Sequence, residues 1–227
     1  MLHYTRCGWV FVCTLALYTS QTSPQTRKTT PLSRTVALGG ASTTSGAAVS
    51  FLLSEARVPG GIISVYDKCA QSSPQEFSLK ETTLKEALDY VSQIDGSRKW
   101  LFANGLVVVG SQLTGKTILN TVIGDVDIDS NEALSLTTQQ LLNTPEVRKS
   151  VEKAGLEELT PELGFAQIRK DPVNASPQPA KHPTHLHNIT LLNALNTVAT
   201  AKETGVWQYE QYSCRKKSSF RLDWVVK

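Results

Sequence analysis

The chain has 227 residues, 40% of them hydrophobic and 19% charged, an ordinary globular composition that can bury one core or two small ones. Lys and Arg number 23 against 20 Asp and Glu, a formal charge of +3. With no basic stripe interleaved with aromatics, nucleic acid is excluded as the expected partner. The densest basic run, Arg215, Lys216 and Lys217, falls between two expected strands and reads as a solvated hairpin tip.

Residues 1–22 read as an export signal. Arg6 supplies the positive end, and Cys7 to Tyr18 is an apolar run of signal-peptide length. A membrane span needs about 20 apolar residues, so an uncleaved anchor ranks second and no stable span is expected after cleavage. The expected location is the periplasm or the exterior. Cleavage removes Cys7 and Cys13 and leaves Cys69 and Cys214, a disulfide candidate in an oxidising compartment. Two separate thiols rank above that pairing, because a cysteine count fixes no geometry.

Residues 23–45 are rich in Thr, Ser, Gln and Gly and are expected to form a disordered tether. A first module is expected over 46–110. Val49, Leu52, Leu53 and Ala56 have helical spacing, and Pro59-Gly60-Gly61 is expected to stop that helix. Ile62 to Tyr66 and the Phe77, Leu79 alternation predict strands. Thr82 or Thr83 caps a second helix, with Glu86 completing a capping box and Leu84, Leu88 and Val91 on one face. Lys99 to Phe102 and Leu106 to Val109 predict a hairpin turning at Asn104-Gly105.

Residues 111–143 are expected to be a connector, extended over Ile118 to Ile128 and helical from Glu132-Ala133-Leu134 to Leu142. A second module is expected over 144–227. It holds a helix from Thr144-Pro145 to Gly155, a strand at Gly164 to Ile168, and a proline-rich loop from Asp171 to Pro183. A strand at Leu186 to Ile189, a helix at Leu191 to Ala201, and strands at Val206 to Gln211 and Phe220 to Val226 complete it. Two stretches share a register: Thr83, Leu84, Ala87, Leu88, Val91 and Trp100 recur as Thr190, Leu191, Ala194, Leu195, Val198 and Trp207. Six matches separated by unlike residues point to two copies of one unit. The expected fold is therefore α+β, two related α-β-β-α-β-β modules with a connecting strand-helix segment.

This order, with TLKEAL, Trp100, the Asn104-Gly105 turn and the closing Leu106 to Val109 run, resembles the short N-terminal domain of bacterial secretins and TonB-dependent transducers. The match spans Ala47 to Gly110, and a looser one spans Pro145 to Val226. The resemblance implies a periplasmic domain that binds another protein, here without a downstream barrel, and it brings no catalytic residues. The implied partner is an envelope or extracellular protein.

Four chemistries compete with that expectation. Gly110, Gly115, Lys116 and Thr117 complete a literal GxxxxGKT after an aliphatic strand, the arrangement that cradles phosphate before a helix N-terminus. The β-branched residues after Thr117 argue against that helix, so nucleotide binding is the runner-up. Asp125, Asp127 and Asp129 begin like a calcium loop, but Ser130 and Leu136 stand where glycine and glutamate belong, and a strand with one acidic face fits better. His182, His185 and His187 form a possible metal cluster, with His185 and His187 on one strand face, although an exposed loop cluster is the default. Trp100 and Trp207 could stack a ligand, but their matched positions favour packing. No catalytic residues and no cofactor are expected.

Overall fold

The computed structural model describes residues 30–66, 73–110, 117–128, 133–159, 184–202, 205–214 and 217–225. In chain order the elements begin with β1 (Thr35–Thr43), α1 (Ser45–Glu55), β2 (Gly60–Tyr66), β3 (Gln75–Thr83), α2 (Leu84–Ile94), β4 (Lys99–Ala103) and β5 (Leu106–Gly110). They continue with β6 (Val122–Ile128), α3 (Leu134–Leu142), α4 (Pro145–Ala154), β7 (Leu156–Glu158), β8 (Thr184–Thr190), α5 (Leu191–Ala201), β9 (Val206–Cys214) and β10 (Lys217–Val225). The class is α+β. Among the described residues, no helix is long and apolar enough to cross a membrane.

Local chemistry explains the helix starts. The Thr83 hydroxyl accepts from the Glu86 amide while the Glu86 carboxylate accepts from the Thr83 amide, closing the capping box of α2. Hydrogen bonds from the Thr82 hydroxyl, then from the Thr83 amide and hydroxyl, hold the Glu86 carboxyl down to about 2. At α5 the Thr190 hydroxyl accepts from the Asn193 amide. The first amides of the two helices donate to strand-entry carbonyls, Leu84 to Arg34 and Leu191 to Thr121, both at 2.8 Å. Each helix is also tied to the strand after it: Trp100 donates its indole N–H to Asp89 at 2.9 Å, and Trp207 donates to Asn196 at 3.1 Å. The Asn104-Gly105 hairpin forms with both residues at positive φ.

One six-stranded sheet, in the order β4-β5-β2-β9-β10-β7, divides two cores. On one face α1 and α2 pack Leu52, Leu53, Leu84, Leu88 and Val91 against Ile62, Val107 and Val109. On the other, Leu191, Leu195 and Val198 of α5 pack with Ile63, Leu106, Val108, Trp207 and Tyr209. The first part of β2 and all of β5 are buried on both faces, so Gly60-Gly61-Ile62-Ile63 and Leu106 to Gly110 read as continuous apolar runs without alternation. Two antiparallel pairs, β1–β3 and β6–β8, complete the fold.

Several expectations are corrected. The expected tether at 23–45 contains β1, because Val36 and Leu38 alternate into the first core and pair with β3. The first half therefore opens with a strand, β-α-β-β-α-β-β, and α1 begins earlier than expected, at a Thr44 cap. Gly60 and Gly61 do not stop α1. That helix ends at Glu55 with Ala56 as its cap, Arg57 follows at φ 52°, and the Arg34 guanidinium donates to the Ala56 and Arg57 carbonyls at 2.7 and 2.8 Å. The described residues of the expected connector at 111–143 belong to the second core: β6 pairs with β8, and Ile123, Ile128, Leu141 and Leu142 are buried there. The β9–β10 hairpin is tighter than expected, with Cys214 opposite Lys217. The expected strand at 164–168 and loop at 171–183 lie outside the described residues, and β7 follows α4 directly.

The two halves of the sheet meet where β2 runs parallel to β9, from Gly60 opposite Val206 to Tyr66 opposite Tyr212. Glycine is required here by space. A Cβ on Gly61 would lie 2.0 Å from the Trp207 ring, and one on Gly60 would lie 2.5 Å from the Val107 carbonyl oxygen. Above this junction the buried Arg98 guanidinium donates to Ser45 and Asp95 at 2.7 Å and to Ser64 at 3.0 Å. Burial raises the Asp95 carboxyl, but hydrogen bonds from Ser45, Ser97 and Arg98 together bring it below the ordinary carboxylate value.

Two outcomes follow from these contacts. Gly61→Ala forces a methyl group into the Trp207 ring and should destabilise the protein by about 2 kcal/mol or more, whereas Gly39→Ala, with open space around it, should leave the urea midpoint nearly unchanged. For Asp95, a depressed folded-state value means that its stabilisation is present above the ordinary carboxylate range, about 3.9, and is lost as pH falls through the lower folded value. Asp95→Asn should therefore be less stable than the parent at neutral pH, and the gap in melting temperature should close in acid.

Candidate functional site

The chemistry-bearing side chains that come together lie on the outer face of the β6–β8 ladder. Asp125 stands opposite His187, and Asp127 opposite His185. Alternation along each strand sends Leu186, Val126 and Ile128 inward and these four polar side chains outward. The inward side changes phase between Ile123 and Val126, where Gly124 lies opposite Asn188 and Asn188 holds φ 48°.

His187 Nδ1 lies 2.8 Å from Asp125 Oδ1, and His185 Nδ1 lies 2.8 Å from Asp127 Oδ1. The same Asp125 oxygen is 3.3 Å from His185 Nε2, so one carboxylate bridges both rings. The Asp127 hydrogen bond is the main cause that raises His185 above its ordinary value, and the His187 hydrogen bond is the main cause that lowers Asp125. The cluster is exposed. It offers two imidazoles and a carboxylate to solvent, an arrangement suited to holding a cation or a proton.

Other residues singled out from the sequence fall elsewhere. Gly110 ends β5 and Thr117 is extended, at φ −107° and ψ 157°, while Gly115 and Lys116 lie outside the described residues. A three-residue 3-10 turn at Ile118–Asn120 follows Thr117 and leads into β6. The helix on which a phosphate loop depends is not present over 117–128, in keeping with the β-branched residues there. His182 and Asp129 also lie outside the described residues. Trp207 is fully buried against Gly61 and cannot stack a ligand, whereas Trp100 is half-buried beside the first core. The remaining repeat residues, Leu84, Ala87, Leu88, Val91, Leu191, Ala194, Leu195 and Val198, are all core.

Reading the sequence missed two features. The pairing of Asp-Val-Asp with His-Leu-His was signalled by the shared polar-apolar alternation of two short segments, but their long separation in sequence hid it. The second feature is the outer strand β4, where Leu101 is 58% exposed on an otherwise well-packed sheet. A polar network on the part of the sheet near β10 is internally satisfied. Glu210 accepts from Gln208, Tyr212 and Arg221 at 2.8, 2.7 and 2.8 Å, and Tyr212 stacks on Tyr66 with ring centroids 5.0 Å apart.

Cys214 is disulfide-bonded, which sets aside the expectation of two separate thiols. Its partner lies outside the described residues. Comparison with family models, with curated proteins and with solved structures finds no match to this chain.

The parallel register favours Cys69 as the partner, since Cys69 follows three residues after Tyr66 and Cys214 follows two after Tyr212. A peptide map without reductant should recover Cys69 linked to Cys214. Cys214→Ser should lower stability by about 2–4 kcal/mol.

Proposed function

We propose that the protein is an exported, non-enzymatic interaction or assembly module of two related units, acting in the periplasm or outside the cell through contact with another protein. The observation that carries this reading is the β2–β9 junction. The chain's own halves associate by adding a parallel strand to the outer side of β9, the strand that follows α5 and holds Trp207. Strand β4 stands in the same relation to α2, Trp100 and β5 as β9 does to α5, Trp207 and β10. Among the described residues its outer side takes no strand. A partner strand added there satisfies the open backbone groups and covers Leu101. By analogy with Gly61 against Trp207, a small residue in that strand would face Trp100.

Related units are supported by the matched caps, the matched first-amide bonds and the two indole bonds, each spanning eleven residues. Export is supported by residues 1–22 and by the disulfide at Cys214, which persists in oxidising compartments. The resemblance to the secretin and transducer domain points to the same class of role, protein contact in the envelope.

A photo-cross-linker placed at Leu101 in the exported protein should capture a partner, while the same group at Leu136, 50% exposed on α3, should not. Equal capture at both sites, or none at Leu101, would sink the edge-strand reading. Magnesium-dependent nucleotide binding that disappears in Lys116→Ala would instead restore the phosphate loop; the expected result is no saturable nucleotide binding.

A further inference from the structure

We propose that the outer face of the β6–β8 ladder binds a divalent transition metal of the zinc class, with His185 Nε2, His187 Nδ1 and Asp125 Oδ1 as protein ligands. Each of these residues brings one ligand atom within 4.8 Å of the other two. A tetrahedral zinc ion, with bonds of about 2.0–2.2 Å, sets its ligand atoms roughly 3.3 Å apart. The His185 Nε2 to Asp125 Oδ1 separation is already 3.3 Å. The His187 Nδ1 to Asp125 Oδ1 contact, 2.8 Å, is a hydrogen bond that the ion replaces, opening it by about half an ångström. Side-chain exposures of 60% for His185, 70% for His187 and 64% for Asp125 leave the rotamers free to adjust and leave water to complete the coordination.

The backbone fixes the anchors. Asp125 is directly across from His187, and His185 lies two residues along the same strand face. Asp127 supplies the orienting contact: its carboxylate, 2.8 Å from His185 Nδ1, accepts the Nδ1 proton, so that loss of the Nε2 proton to an incoming ion leaves a lone pair directed toward Asp125. Two separate cross-strand ion pairs account for the Asp125–His187 and Asp127–His185 contacts. In the absence of an ion, a protonated His185 that donates from Nδ1 to Asp127 and from Nε2 to Asp125 accounts for the third contact, and the ion takes the place of the Nε2 proton.

Two imidazoles and one carboxylate suit zinc, nickel or copper and are poor ligands for calcium or magnesium, which take oxygen donors. The acidic alternation of β6, which begins like a calcium loop, is thereby assigned to a different metal class. None of the four side chains belongs to the β2–β9 junction or to the β4 edge, so this site is independent of the proposed strand addition.

The test is calorimetric titration of the untagged, disulfide-intact chain with Zn2+ alone. One equivalent should bind saturably. His185→Ala, His187→Ala and Asp125→Asn should each weaken binding at least about tenfold, and Asp127→Asn should weaken it while retaining the stoichiometry, within the roughly 10–100-fold that orienting contacts carry. Melting temperatures without metal should match the parent, because all four side chains are exposed. Asp125→Asn, close to isosteric, serves if an alanine variant misfolds. A hundredfold excess of Ca2+ should not compete. Absence of saturable one-to-one binding overturns the assignment, as does unchanged affinity in the two histidine variants, including transfer of binding to His182.

Discussion

The structure depends on the close approach of Gly61 to Trp207. Only a residue without a side chain lets β2 lie parallel to β9 with the indole pressed against its backbone, and that pairing fuses two three-stranded halves into one sheet. Consecutive residues Ile62 and Ile63 then serve opposite cores. Opening the junction would expose both cores at once, so the halves are coupled through one strand. The buried Arg98 beside it is a costly group whose desolvation is partly offset by Asp95 and by two serine hydroxyls from α1 and β2, while its Nη1 is buried without a hydrogen-bond partner among the described residues. Both the apolar and the polar sides of the junction therefore tie α1, the turn after α2 and β2 to the same place.

Position in the sheet, more than local sequence, decides what each half can do. Trp100 and Trp207 make the same kind of bond to the helix before them, yet Trp207 is fully buried and Trp100 is not. The difference is the neighbouring strand: β9 has β2 on its outer side and β4, among the described residues, has none. The caps differ too. Glu86 closes a reciprocal box with Thr83, whereas at α5 Asn193 receives the cap through its amide alone. Such differences leave the packing of Leu84, Ala87, Leu88 and Val91 and of their counterparts intact, because they sit on the solvent side of the helices.

Much of this architecture was legible from short-range chemistry. Capping residues, the 3.6-residue apolar stripe of α2 and the Asn104-Gly105 turn are local signals, and they placed α2, α5, β4 and β5 within a residue or two. What escaped depended on distant partners. Strand β1 has Gly39-Gly40 at its centre and Thr or Ser at its ends, and becomes a strand because β3 supplies its ladder and the first core receives Val36 and Leu38. The glycine pair resembled a helix stop, a role that Arg34 and Arg57 fill instead. The candidate site was half legible: each strand showed two of its polar residues, but nothing local says which strands lie side by side.

The placement of that site rests on a single kink. If alternation ran unbroken from buried Ile123, Asp125 would point into the second core, where an unpaired carboxylate is strongly disfavoured. Gly124 and Asn188, facing each other across an unshifted register, absorb a phase change, and asparagine tolerates the left-handed φ of 48° that it needs. Beyond the kink Val126, Ile128 and Leu186 complete the core, and the aspartates and histidines are delivered to solvent in facing pairs. The phase change thus seals the core and assembles the polar cluster in the same step. A substitution that straightened the ladder would have to disturb both.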